Sequence, residues 1–436
     1  MSHSGFMQLI IYLGLLLLIL TAFYRRRTRK TRALLRVKGD EERSGLAEPA
    51  SLHPVIDHAR CIGCGACVNA CPEQAVLGLL DNKATLIRPG HCIGHGACRA
   101  TCPEDAITLV FGSERRGVDI PMVSPDFETN VPGIFIAGEL GGMGLIRNAV
   151  EQGRQAVESI HKKYGRGGDD WLDLLIVGAG PAGFSASLAA MQHKLRFVTL
   201  EQDSLGGTVA HFPRGKLVMT APMTIPLVGK VKLRETSKEA LLGLWQDIER
   251  KTGVRINYHE RMESLVQVDG GFQVTTARGS YRARAILLAI GRRGTPRKLE
   301  VLGEDLPKVV YRLIDPAQYR GQHVLVVGGG DAALEAACSV AEEPGTRVTL
   351  SYRSEAFSRA KEKNRRKVEE FSGNGRLRVI MSSNVKMIRQ DNVFIQQENR
   401  IYQMKNDAVI VCAGGVLPTP FLKQIGIEVE TKFGTA

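Results

Sequence analysis

With 436 residues, 44% of them hydrophobic and 24% charged, the chain has apolar side chains for two or three cores, which excludes a disordered polypeptide. Its formal charge is +13, yet eight of the positive side chains (Arg25, Arg26, Arg27, Arg29, Lys30, Arg32, Arg36 and Lys38) stand in one acid-free run, so the remainder carries only +5. Basicity this local, without interleaved aromatics, excludes a nucleic-acid reader, and no nucleic-acid partner is expected.

The basic run follows Phe6–Tyr24, 19 residues without a charge. As a helix rising about 1.5 Å per residue they would cover roughly 28 Å, just enough for the core of a bilayer. A secretory signal carries its charges ahead of the apolar stretch and a small-residue cleavage site behind it; here the order is reversed and TAFYRRR offers no such site. Residues 1–24 therefore predict an uncleaved single-pass transmembrane anchor. The arginines behind it place the body on the cytoplasmic side, in a bacterium against the inner membrane. Residues 25–52 read as a basic juxtamembrane linker.

Seven of the nine cysteines lie between Cys61 and Cys102, in two blocks that repeat at an offset of 31: CIGCGACVNACPE from Cys61 and CIGHGACRATCPE from Cys92. The first block is C-x2-C-x2-C-x3-C-P. At this spacing neighbouring thiolates converge on one iron-sulfur cube while the fourth reaches the cube of the other block. The prolines and the cytoplasmic side argue against a zinc site or a disulfide framework. Residues 53–112 resemble the bacterial two-cluster ferredoxins. That resemblance implies a small α+β domain with Cys61, Cys64, Cys67 and Cys102 around one 4Fe-4S cluster, and Cys71, Cys92 and Cys98 around the other. His95 stands where the second repeat should have its second cysteine. Cluster two is then a histidine-ligated 4Fe-4S cube, a 3Fe-4S cluster, or a cube with a non-protein ligand.

Next comes DFETNVPGIFIAGELGG, Asp126 to Gly142: a Pro-Gly turn, a short buried strand, an acid at its end and a glycine-rich entry into a helix. It precedes any nucleotide motif. LDLLIVGAGPAGFSASLAA, from Leu172, then runs a hydrophobic strand through Gly178, Gly180, Pro181 and Gly183 into a helix of small residues. The first glycine makes the turn, the second admits a pyrophosphate, and the third lets the helix close on the strand. RFVTLEQ ends a second strand in Glu201, 23 residues after Gly178 and placed for a ribose hydroxyl. A helical piece, SKEALLGLWQDIERKTG, and an alternating GFQVTTARGSYRAR follow, the latter a small antiparallel excursion.

The second copy, QHVLVVGGGDAALEAACSVA, puts Gly328, Gly330 and Ala333 in the fingerprint positions, with Asp331 opening the helix. Counting 23 residues from Gly328 lands on Ser351, with no acid. A serine followed by Arg353, with Arg359 nearby, suits a 2'-phosphate, so NADPH is expected in preference to NADH. Both units close alike, on AILLAIGRRGTPRKL and AVIVCAGGVLPTPFL.

From Gly178 to Ala436 the chain resembles the two-dinucleotide flavoproteins of the thioredoxin reductase superfamily, with the FAD unit first and the pyridine nucleotide unit inserted second. FPRGKLVMTAP, from Phe212, is similar to the bacillithiol-disulfide-reductase-like branch. Such proteins close on a VPGIFAAGD-type segment and a helix that cover the flavin. Here VPGIFIAGELGGMGLIRNAVEQGRQA lies ahead of the FAD fingerprint instead, which reads as a circular permutation. The resemblance implies that Gly138 and Glu139, a Glu where the family usually has Asp, approach the flavin's ribityl-phosphate region. The helix starting near Gly144 would aim its N-terminal amides at the pyrimidine carbonyl.

The expected fold is α/β: two Rossmann-like dinucleotide-binding units, a small α+β two-cluster ferredoxin domain and the N-terminal transmembrane helix. Its divisions are residues 53–112 (ferredoxin), 113–168 (permuted flavin-covering segment), 169–300 (FAD), 301–405 (NAD(P)H) and 406–436 (return toward the FAD unit). Electrons enter as a hydride from NADPH to FAD and leave singly through two iron-sulfur clusters to a quinone, cytochrome or redox protein. No catalytic side chain is singled out. A thiol-disulfide reductase is the alternative, but Cys338 and Cys412 stand alone, and the cysteine expected in the bacillithiol branch is Ala182 here. A non-enzymatic membrane redox sensor or assembly factor, and a homodimer, stay open.

Overall fold

The computed structural model describes residues 3–43, 49, 52–73, 76–92, 94, 96–113, 117–142, 144–167, 171–220, 222–233, 235–292, 294–357, 360 and 362–434, without the side chains of residues 3–11, 27, 43, 219 and 295. Its contacts divide the chain into Met1–Gly117 with Phe433–Ala436, and Val118–Lys432.

In the first unit a single helix, α1 (His3–Arg43), contains both the apolar and the basic stretch. Between Phe6 and Lys38 there is one glycine, Gly14, and no proline. Leucine, arginine and alanine there favour helix. The basic residues expected as a linker are therefore part of a continuous rod. Among the described residues no helix is long and apolar enough to cross a membrane, and the side chains of residues 6–11, part of the expected anchor, lie outside the description. Those that follow are exposed, Tyr12, Leu17, Leu18 and Phe23 by more than 60%. The other end of α1 is docked. A Cβ on Gly78 would meet Leu34 at 3.0 Å, and the buried Glu41 carboxylate faces Arg88 Nε at 3.8 Å.

The rest of this unit pairs β1 (His53–Ile56) with β4 (Ile107–Val110), and β2 (Leu77–Leu80) with β3 (Lys83–Leu86), both antiparallel. Two short helices, α2 (Ala66–Ala70) and α3 (Ala97–Ala100), each follow a left-handed glycine, Gly65 (φ 76°) and Gly96 (φ 75°). The sequence repeat is thus also a repeat of backbone shape.

The second unit opens with β5 (Val118–Pro121), β6 (Ile134–Ile136), α4 (Ile146–Tyr164), β7 (Leu172–Val177), α5 (Pro181–Gln192) and β8 (Phe197–Leu200). After α6 (Lys238–Thr252) come β9 (Met262–Val268), β10 (Gly271–Thr276) and β11 (Gly279–Leu288). These form one sheet in the order β9-β10-β11-β7-β8, with β6 also on β11. The register of β6 is parallel: Ile134 opposite Ile286, Phe135 opposite Leu287 and Ile136 opposite Leu288. The early strand therefore belongs to the flavin sheet. Its helix follows it: a Cβ on Gly153 would lie 2.0 Å from the Ala182 carbonyl oxygen, so α4 and α5 touch backbone to backbone.

The nucleotide half contains β12 (Val309–Val310), β13 (His323–Val327), α7 (Asp331–Ala341), β14 (Arg347–Ser351), β15 (Leu377–Ile380) and β16 (Ala408–Val411). The strands form a parallel sheet in the order β12-β16-β13-β14-β15. A three-stranded antiparallel sheet, Ser383–Ile388, Asn392–Gln397 and Arg400–Lys405, is inserted before β16. Residues 406–411, expected in the return segment, are thus part of the nucleotide sheet. The return comes later, where Leu422 and Ile427 enter the flavin-side core and β17 (Val429–Lys432) pairs antiparallel with β5.

Candidate cofactor sites

The described cysteines of the first unit separate into two small cavities. One is lined by Cys61, Cys64, Cys67 and Cys102, the other by Cys71, Cys92 and Cys98. This is the crossed assignment of the ferredoxin pattern. Cys67 sits in the first turn of α2, buried, whereas Cys71 follows that helix in extended backbone (ψ 118°) and leaves for the second cavity. Backbone amides point at sulfur: Ala84 N–H to Cys61 Sγ at 3.4 Å and Ala106 N–H to Cys102 Sγ at 3.3 Å. Such donors stabilise anionic sulfur. Burial pushes the Cys98 thiol up to about 11 and raises those of Cys67, Cys71 and Cys92. Thiolates in such surroundings need a cation beside them, and cluster iron is one, so the donor set fits iron-sulfur clusters. His95 lies outside the described residues. Of the seven ligand candidates described, Cys64 is exposed.

In the flavin half, Gly178 (φ 103°) makes the turn, and a Cβ there would stand 2.6 Å from the Ala289 carbonyl oxygen. A Cβ on Gly183 would be 1.8 Å from the Gly178 carbonyl oxygen, which is how α5 closes on β7. Gly180 is open by contrast, with nothing nearer to its Cβ position than Gly207 Cα at 3.8 Å. Pro181 occupies the first helical position, where its missing N–H costs nothing. Open backbone at a helix N-terminus fits a pyrophosphate. Glu201, 6% exposed at the end of β8, accepts from Ala179 N–H at 2.7 Å and Asp203 N–H at 2.8 Å. Burial, opposed by these bonds, raises its carboxyl above the ordinary value.

The permuted segment meets this turn. Gly138 donates to Gln152 Oε1 at 2.8 Å, and its Cβ position is 2.9 Å from Ala182 Cβ on α5. Glu139 lies near the ends of β6 and β11, its carboxylate oxygens 3.7 Å and 3.8 Å from the Cβ positions of Gly144 and Gly291. Helix α4 starts at Ile146, two residues after the expected point.

The second fingerprint repeats the frame with one difference. Gly328 (φ 142°) approaches the Cys412 carbonyl oxygen, 2.4 Å from its Cβ position, and Ala333, whose Cβ is 3.0 Å away. Gly330 is open, and α7 begins at Asp331. Gly328 N–H, however, donates to Ser351 as Gly178 N–H donates to Leu200, so the place of Glu201 is taken by Tyr352. The count that pointed to Ser351 is one residue short. Ser351 is fully buried and shares a hydrogen bond with Ser383 Oγ at 2.8 Å. Arg353 is exposed, and Arg359 lies outside the described residues.

Sequence reasoning missed the side chains that join the halves. Lys216 reaches Glu335, whose Oε1 also accepts from Asn364, 3.1 Å away; Asn364 in turn donates to Asp331 at 2.7 Å. Arg312 contacts His211 and pairs with Asp203 at 3.1 Å.

Two dinucleotide fingerprints, each following a strand with parallel neighbours, and two cysteine-lined cavities in the same chain define a flavin-dependent pyridine nucleotide oxidoreductase with an iron-sulfur module. Residues 175–435 match the pyridine nucleotide-disulphide oxidoreductases, and residues 53–103 match the 4Fe-4S dicluster domain. The chain belongs to the pyridine nucleotide-disulphide oxidoreductase family and is an NAD(P)H-dependent flavin and iron-sulfur oxidoreductase. It is similar to the bacilliredoxin reductase Bdr of Bacillus subtilis, 24% identical over 60% of this chain and 82% of that protein. It is also similar to a ferredoxin--NADP reductase of Thermus thermophilus, 29% identical over 60% of this chain and 78% of that one. The bacillithiol disulfide reductase Bdr of Bacillus cereus has the same fold, with a TM-score of 0.53, 24% identity, and coverage of 60% of this chain and 83% of that one. The family match starts after β6 and α4, although β6 is built into the flavin sheet and α4 packs on α5.

Proposed function

We propose that this chain takes electrons from NADPH through FAD and two iron-sulfur clusters to an acceptor at a membrane. FAD accepts a hydride as an electron pair, and iron-sulfur clusters accept electrons singly. The observation that carries this reading is the division of the cluster cysteines into sets of four and three, in a chain that also holds two dinucleotide fingerprints.

Each fingerprint then has its role. Gly178, Gly180, Pro181 and Gly183 hold the FAD pyrophosphate at the start of α5, Glu201 takes the adenosine ribose, and Gly138 and Glu139 line the ribityl side. Gly328, Gly330, Asp331 and Ala333 receive the nicotinamide dinucleotide in the second Rossmann-type unit, with Arg353 and Arg359 beside its 2'-phosphate. Cys61, Cys64, Cys67 and Cys102 hold a 4Fe-4S cube. Cys71, Cys92 and Cys98 hold the second cluster, with His95 as its fourth ligand. Thiol-disulfide chemistry is not favoured, because Cys338 is 2% exposed on α7 and burial pushes its thiol up to about 11.

Support for a membrane location comes from the 19 uncharged residues before Arg25 and from the rod-like α1, which presents exposed leucines and then exposed arginines. Acceptors reachable there are a quinone, a cytochrome or a membrane-associated redox protein. The test is purification with bound cofactors, followed by stopped-flow mixing with NADPH and NADH. Flavin bleaching followed by loss of the cluster bands is expected, and cluster bands that stay oxidised after the flavin is reduced overturn the electron path. Deleting residues 1–24 should move an active enzyme from the membrane fraction to the soluble one. Full-length protein found in the soluble fraction refutes the anchor.

A further inference from the structure

The two dinucleotide units share one backbone frame, so their residues can be equated individually. Gly178 N–H donates to the Leu200 carbonyl at 2.7 Å, and Gly328 N–H to the Ser351 carbonyl at 3.0 Å. Val177 stands opposite Leu200 in the ladder as Val327 stands opposite Ser351. It follows that Ala179 corresponds to Gly329, and Glu201 to Tyr352.

What these pairs do is different. In the flavin half the Glu201 carboxylate accepts from the Ala179 amide. In the nucleotide half the Tyr352 ring lies across the middle glycine instead: a Cβ on Gly329 would come within 2.3 Å of ring atoms Cε2 and Cζ. Any side chain at position 329 would have to displace the ring. Behind it, Phe357 is stacked on Tyr352 with centroids 5.5 Å apart and planes at 19°, and Phe357 is itself buried. Arg353 follows directly and is exposed, with no ion pair among the described residues.

We propose that Tyr352 selects the pyridine nucleotide, by placing an aromatic ring where a carboxylate would hold a ribose diol and so leaving the adenosine 2' position to a phosphate beside Arg353. This rests on the reading of the second unit as the nicotinamide nucleotide site. A carboxylate at the end of this strand accepts from both ribose hydroxyls and repels a 2'-phosphate. A ring does neither. Its edge or face packs against adenosine, and its backing by Phe357 limits the freedom lost on binding. Ser351 cannot substitute for the acid, because its hydroxyl is committed to Ser383 inside the fold.

The test measures binding of adenosine 2',5'-bisphosphate and of AMP to the holoenzyme by titration calorimetry, beside turnover with NADPH and NADH. The wild type should prefer the bisphosphate by about tenfold or more, the scale of one charge-assisted contact. Tyr352→Phe should keep that preference. Tyr352→Glu should lose it, weakening the bisphosphate by about tenfold and tightening AMP, with NADH turnover rising relative to NADPH. Should the glutamate variant fold poorly, Tyr352→Asp is read by the same ratio. An unchanged ratio in a folded acidic variant overturns the role of Tyr352 while leaving the nucleotide site standing. If the wild type binds neither ligand, the assignment of the second unit falls and this inference with it.

Discussion

Lys216 Nζ meets both carboxylate oxygens of Glu335, at 2.6 and 2.5 Å, across 119 residues of sequence. Lysine and glutamate belong to different halves of the second unit, and side-chain exposures of 35% and 26% leave the pair partly shielded. Removing both partners in a double-mutant cycle, Lys216→Ala with Glu335→Ala, should give a coupling energy of about 0.5 to 1 kcal/mol in unfolding measurements. Additive losses would show that the contact does not stabilise the arrangement.

Gly153 lets α4 lie on α5, with room for no side chain against the Ala182 carbonyl. Gly153→Val should therefore part the permuted helix from the fingerprint helix and cut the flavin-to-protein ratio severalfold, while the iron content stays normal. Full flavin occupancy in this variant would mean that α4 does not cover the cofactor.

Glu128 joins the permuted turn to α4. Burial raises its carboxyl, but hydrogen bonds from Lys163, the Gly133 amide and Tyr164 outweigh burial and leave it below its ordinary 4.5. A carboxyl with a lowered folded-state pKa contributes stability above its unfolded value and loses it as the pH falls through the folded one. Glu128→Gln should cost about 1 kcal/mol at pH 7 and flatten the acid limb of a stability–pH curve below 4.5. An acid limb of unchanged slope would count against it.

Imidazole is neutral where a thiolate is anionic, so a cluster bound by Cys71, Cys92, Cys98 and His95 carries one negative charge fewer than its neighbour and is the easier to reduce. Iron analysis should find eight irons, and His95→Cys should lower the second cluster's potential in an EPR-monitored titration. Seven irons, with an oxidised-state signal that His95→Cys converts to a second cube, would instead identify a 3Fe-4S cluster.

How much of this was readable in the residues depended on what each inference had to cross. The two cysteine sets came from the resemblance to two-cluster ferredoxins, and the structure lines two separate cavities with the same sets because each run of cysteines is local. Strand β6 was legible because VPGIFIAG is a surplus segment matching a missing one. Tyr352 was not: the count from Gly328 runs through α7 and a Pro344–Gly345 turn, where the second unit spends one residue more than the first before its next strand. The expected linker from Arg25 said nothing of its backbone, and the structure makes it helix as far as Arg43, where nothing in the stretch breaks one. Lys216 and Glu335 have no local signature, since their meeting depends on how two halves of a folded unit are placed.

Strands β5 and β17 carry a consequence for how such a chain arises. Lys432 stands opposite Val118 and Val429 opposite Pro121, which is the register of a hairpin severed at its tip. The flavoprotein body begins and ends at that cut, with the ends roughly 5 Å apart, the spacing of neighbouring strands. A two-residue Asn-Gly turn from Lys432 to Val118 would close it, and reopening it between α4 and β7 would give a body that starts at its FAD fingerprint and ends on the flavin-covering helix. The order of segments in this chain is thus one of two ways to open the same ring, and here the cluster domain leads directly into β5 at the opening.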